Sequence, residues 1–98
     1  MEIKSGITEV HSLDLFNPEE NDGNFNLQYT VYIENPDGTK VQILETGQIS
    51  PGMHVQTVTL SQALQVGEYN ALVHITPYSI STGQTVNNAE FSCKLIVK

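Results

Sequence analysis

The sequence predicts an all-β fold: two antiparallel sheets packed face to face, in one domain spanning residues 1–98. Three observations predict it. Apolar residues recur with period 2 in almost every segment, the spacing of strands with one buried and one wetted face. Turn-forming residues punctuate the chain at intervals of roughly 8 to 12 residues, the rhythm of a sandwich of six to seven strands. No ten-residue window carries the 3.6-residue period of an amphipathic helix. Neither a repeat nor a linker divides the chain.

Residues 3–10 read as the first strand. A long connection follows over 13–24, and its Asn17-Pro18-Glu19-Glu20-Asn21-Asp22-Gly23-Asn24 run is turn chemistry throughout. From Phe25 to Glu34 the odd positions are apolar and the even ones mostly polar. The Asp37-Gly38 pair then supplies the positive φ of a tight hairpin. The chain returns over 40–46 with Val41 and Ile43 inward. Gly47 and Ser50-Pro51-Gly52 mark the next corner, with Ile49 as its apolar plug. Residues 53–60 form a strand rich in β-branched side chains, and 61–66 a short connection. The longest strand covers 67–78, with Tyr69, Ala71, Val73 and Ile75 on one face. Residues 79–88 are a polar loop containing Gly83. The last strand, 89–97, turns Phe91, Cys93, Leu95 and Val97 inward.

One local pattern sharpens the architecture. Gly67 stands two residues before Tyr69, and the small Ala71 two after it, at the start of the next-to-last strand. This resembles the tyrosine corner of immunoglobulin-like sandwiches, in which the phenol bonds back to upstream backbone. Gly67 and Tyr69 are therefore the expected structural corner. A Cys often occupies the position of Ala71, and here it is absent. Cys93 is alone, so the expected immunoglobulin-like sandwich has no disulfide.

The stretch from residue 25 to 98 also resembles a group of small, uncharacterised surface domains of Gram-positive bacteria. The residues that carry the resemblance are the Gly47-Gln48-Ile49-Ser50-Pro51-Gly52 corner and the run from Leu60 and Leu64 to Ala71. Tyr78 and Asn88-Ala89-Glu90 complete it. Such domains commonly follow a single N-terminal membrane anchor. The resemblance therefore implies an extracellular, cell-surface location, with the anchor in a segment preceding Met1. It implies no catalytic or ligand-binding residues.

Composition excludes several partners. Lys plus Arg is 4, all of it Lys, against 11 Asp plus Glu, a net charge of −7. Nucleic-acid binding relies on Lys and Arg displacing counterions, so a nucleic-acid partner is not expected. The same sign disfavours anionic lipid. No apolar run approaches the roughly 18 residues that cross a bilayer, so this segment is expected to make no direct membrane insertion. Uncharged Asn, Gln, Ser and Thr are abundant while charged residues are 15%. That balance suits a secreted or surface β protein.

No catalytic constellation emerges. The acidic 17–24 loop lacks the spaced carboxylates and bidentate Glu of a calcium loop, and a solvated turn accounts for it better. His11, His54 and His74 are far apart in sequence with no Cys at ligand spacing, so no metal is expected. No Gly-x-Ser-x-Gly is present, and Cys93 alternates with core residues, which leaves no nucleophile. Glu19-Glu20 in a turn provides no enclosed cleft for paired-carboxylate chemistry. A Lys4–Asn87 or Lys4–Asn88 isopeptide bond between first and last strands is disfavoured because both asparagines precede the last strand.

The candidate ligand surface is Tyr32, Leu72, His74 and Tyr78, which share the outward phase of their strands. Tyrosines edged by Asn and Gln stack on sugars, and they also suit open sheet faces. The expected function is a non-enzymatic extracytoplasmic interaction or spacer module of a cell-surface protein, with no cofactor and an unknown protein or glycan partner. The alternative is a glycan- or cell-wall-binding module using exposed Tyr32 or Tyr78, which requires a contiguous aromatic patch around one of them.

Overall fold

The computed structural model describes residues 2–11, 15–21 and 23–98. It is all-β and has no disulfide. The strands are β1 (Glu2–Ile3), β2 (Glu9–Val10), β3 (Leu15–Phe16), β4 (Phe25–Glu34), β5 (Lys40–Ile49), β6 (His54–Val55), β7 (Val58–Thr59), β8 (Gly67–Ser79) and β9 (Ala89–Val97), with a 3-10 turn at Glu19–Asn21. Five of them form one sheet in the order β1-β9-β8-β4-β5. β2 pairs with β7 and β3 with β6 in two short ladders.

The long central strands match their periodicity. β4 pairs with β8 along its whole length, Phe25 opposite Ser79 and Glu34 opposite Asn70. One face carries Val31, Ile33, Ala71 and Val73 into the core, where Leu95, Val97, Leu64 and Val10 join them. The hairpin between β4 and β5 turns at Gly38, with φ of 89°. Its amide donates to the Asn35 carbonyl at 2.9 Å. Asp37 accepts from the Thr39 amide at 3.0 Å and from the Thr39 hydroxyl at 2.6 Å.

Several expectations are corrected. The large sheet is mixed, because β1 runs parallel to β9. Residues 3–10 are not one strand. The chain leaves β9 through a Ser5 N–H bond to the Lys98 carbonyl and turns at Gly6, φ 74°. Gly6 N–H then bonds the Leu64 carbonyl, and β2 pairs elsewhere with β7. The expected connection over 13–24 contains β3 and the 3-10 turn, and Leu13 lies outside the described residues. The expected strand over 53–60 is two short pieces. Its registers, Val10 opposite Val58 and Leu15 opposite Val55, leave more residues between paired positions on one side than on the other. A ladder cannot run straight through such a mismatch.

β5 also departs from simple alternation. Val31 faces Leu44 while Tyr32 faces Gln42, so Ile43 is an extra residue. The bulge turns both Ile43 and Leu44 inward, and both are buried. Val41, expected inward, lies opposite Ile33 near the sheet's end and is 38% exposed. Phe91 is corrected for a different reason. It holds the inward phase opposite Val73 yet is 49% exposed. β6 and β7 lie against β5, on the far side of the sheet from β9. The short ladders are too narrow to cover both margins of a five-stranded sheet.

Candidate interaction surfaces

The face of the large sheet turned away from the core cluster holds the candidate ligand residues. Tyr32 stands opposite Gln42 on one side and Leu72 on the other. Leu72 in turn faces Ser92. His74 lies one row away, between Thr30 and Glu90. Directly opposed side chains in a sheet lie about 5 Å apart at Cβ, so Tyr32, Leu72 and His74 form one surface. Tyr78 does not join it. Tyr78 faces Asn26, six residues along β4 from Tyr32, a span of about 20 Å. All four side chains are half-buried. The two tyrosines therefore do not make a contiguous aromatic patch.

Tyr69 donates its hydroxyl to the Gln65 carbonyl at 2.8 Å. A tyrosine corner here is expected to reach backbone near residues 61–64, and the acceptor lies one residue later. Gly67 sits beneath the ring: a Cβ built there would lie 3.8 Å from Tyr69 Cε2, an ordinary contact.

The three histidines stay apart. His11 Nδ1 pairs with the Thr57 hydroxyl at 3.0 Å, and its Nε2 lies 3.0 Å from Glu9. His54 stacks on Phe16 with ring centroids 5.5 Å apart, and His74 is on the open face. Among the described residues, no group of three or more His, Cys, Asp or Glu is placed to hold a metal ion.

Asn17 is placed where the sequence gives no hint. Residues 17–24 read as a solvated turn, yet Asn17 is 1% exposed. Its Nδ2 donates to the Phe25 carbonyl at 2.9 Å and to the Ile49 carbonyl at 2.8 Å, tying the loop to β4 and β5. Glu19 and Glu20 are exposed, and Asp22 lies outside the described residues. Nearby, the Tyr29 hydroxyl donates to the Phe16 carbonyl at 2.7 Å, and burial raises its pKa above the ordinary phenol range.

Lys4 follows β1, whose Ile3 is level with Val97 at the end of β9. Asn87 and Asn88 precede the opposite end of β9, about 30 Å away along the strand. No isopeptide bond spans that distance.

Two surfaces escape sequence reasoning. One is the Phe16–His54 stack, beside Met53, all three exposed. Phe16 and His54 meet because β3 pairs with β6, a contact between segments 38 residues apart (54 − 16). The other is the outer edge of β9. Among the described residues, β1 pairs with Ile96 and Val97 alone. Comparison with protein-family models, with curated proteins and with solved structures finds no match to this chain.

Proposed function

We propose that this chain is a non-enzymatic interaction or spacer module of a cell-surface protein, exposed outside the cytoplasm and built as an immunoglobulin-like sandwich. The observation that carries the reading is the open face of the large sheet. Its central row, Gln42, Tyr32, Leu72 and Ser92, crosses four strands. Such a face suits a macromolecular surface, whereas small-molecule sites are typically concave and enclosing. The Tyr69–Gln65 bond supports the immunoglobulin-like element of the proposal, because a tyrosine corner closes back on upstream backbone in this way. The parallel run of β1 beside β9 is consistent with it.

The test is accessibility in cells that make the native protein. Protease added to intact cells is expected to remove the domain. Protection until the cells are lysed overturns the extracytoplasmic reading. A second reading, glycan binding, draws on the Tyr32–Leu72 pair flanked by Gln42 and Ser92. Titration of the labelled domain with cell-wall polysaccharide distinguishes them. Amide shifts centred on Tyr32 and Leu72 favour the glycan module, and unchanged spectra favour the spacer.

A further inference from the structure

We propose that the free edge of β9 recognises a second copy of this chain, the two β9 strands pairing antiparallel about a two-fold axis through Ser92. The proposal deepens the interaction-module reading by naming one partner. Among the described residues, no strand pairs with the outer side of β9 over residues 89–95. Ala89, Glu90, Phe91 and Ser92 are all exposed. An unpaired row of backbone donors and acceptors is a template for another strand.

The opposite margin of the sheet is unsuited to this role. β5 carries two register irregularities and a positive-φ Gly47, features that blunt an edge. β9 pairs with β8 in unbroken register from Gly67–Val97 to Ile75–Ala89. Its backbone orientation is fixed at its end. Lys98 N–H donates to the Ile3 carbonyl, and the Lys98 carbonyl accepts from Ser5 N–H. Lys98 thus directs its backbone groups to the β1 side. Strand alternation gives the same direction to Lys94, Ser92 and Glu90.

The register follows from the length of the free stretch. Residues 89–95 have Ser92 at their centre. Two copies that use the whole stretch therefore set Ser92 opposite Ser92. Glu90 then faces Lys94 of the second copy, and the two-fold axis repeats the pair. These three opposed pairs, all with backbone groups directed outward, each exchange two N–H···O bonds. On the other face Phe91 meets Cys93 of the second copy, which covers part of the exposed ring. Centring on Cys93 instead would set Glu90 against Ile96, a position already paired with β1. Centring on Phe91 would leave Leu95 and Lys94 outside the free stretch's charge match, with Glu90 facing Ser92. Only the Ser92 register opposes the two charges. The Lys94 ammonium is already on that face, 2.7 Å from Asn70 Oδ1 and 3.5 Å from Glu68, and remains largely exposed.

A single strand edge buries little area, and both copies carry −7, so the contact is weak and reversible. Sedimentation of the full chain from about 10 µM to about 1 mM is expected to show a monomer–dimer equilibrium. Lys94→Glu is expected to weaken it at least tenfold. The double variant Glu90→Lys, Lys94→Glu restores the opposition and is expected to recover near-native dimerisation. The single variant's far-ultraviolet circular dichroism is expected to match the parent, since both side chains are exposed. Amide exchange at Glu90, Ser92 and Lys94 is expected to slow with concentration. A strict monomer at about 1 mM overturns self-pairing and leaves the cell-surface reading to its own protease test. So does a double variant no better than Lys94→Glu, or protection that appears along β5 instead.

Discussion

The Tyr69 hydroxyl donates to the carbonyl of Gln65, four residues upstream, at 2.8 Å. The bond clips the start of β8 to the connection that feeds it, and it is reached by solvent. Tyr69→Phe is therefore expected to cost about 0.5–1.5 kcal/mol, the net value of one hydrogen bond rather than of a stranded buried group. Tyr32→Phe, on the face of the sheet turned away from the core, is expected to stay within about 0.5 kcal/mol of the parent. Urea titration of both variants checks the contrast. Equal small effects would show that Tyr69 contributes through its ring alone.

Asn17 is expected to be the most sensitive polar position among those described. Asn17→Ala removes both bonds to the Phe25 and Ile49 carbonyls. With the residue fully buried, stranding two acceptors is expected to cost about 2–4 kcal/mol. Thermal or urea unfolding measures it. A loss under about 0.5 kcal/mol would mean that water replaces the carboxamide.

Asp37 is expected to titrate below the ordinary aspartate range. The Thr39 hydroxyl bond is the leading cause, and the Thr39 amide adds to it. A carboxyl with a depressed folded pKa contributes stability that is full above its unfolded value, near about 3.9, and is lost as pH falls through the folded value. Carbon-detected titration of Asp37 reads the midpoint. Thr39→Val removes the hydroxyl donor and is expected to move that midpoint up.

Cys93 faces Ala71 on the core side of β9 and is half-buried. Full protection of this thiol, the expectation from alternation alone, is therefore replaced by partial protection. Alkylation is expected to be several-fold slower in the native protein than in urea. Equal rates would show that β9 detaches readily from β8. Cys93→Ser is expected to cost about 1 kcal/mol, since water reaches the new hydroxyl.

Much of the fold is legible in sequence because period 2 is a local property. The alternation from Phe25 to Glu34 and from Gly67 onward fixes two strands and their faces, and Asp37-Gly38 fixes the hairpin between β4 and β5. The candidate surface is legible only in part. Tyr32, Leu72, His74 and Tyr78 do share a phase, but phase carries no distance, and register places Tyr78 about 20 Å from Tyr32.

By itself the sequence determined the long strands β4 and β8, the Asp37-Gly38 turn, the acidic charge and the lone thiol. Tertiary structure alone decided which strands are neighbours and which faces are covered. Ile43 breaks the alternation of β5 because one extra residue shifts every later side chain to the other face. Phe91 keeps the inward phase and still meets solvent, because burial needs a second layer above the strand, and the short ladders lie toward β5. Asn17 is buried by carbonyls of β4 and β5 that approach it only in the folded chain. Each outcome depends on pairing between distant segments, a free energy that no local pattern encodes.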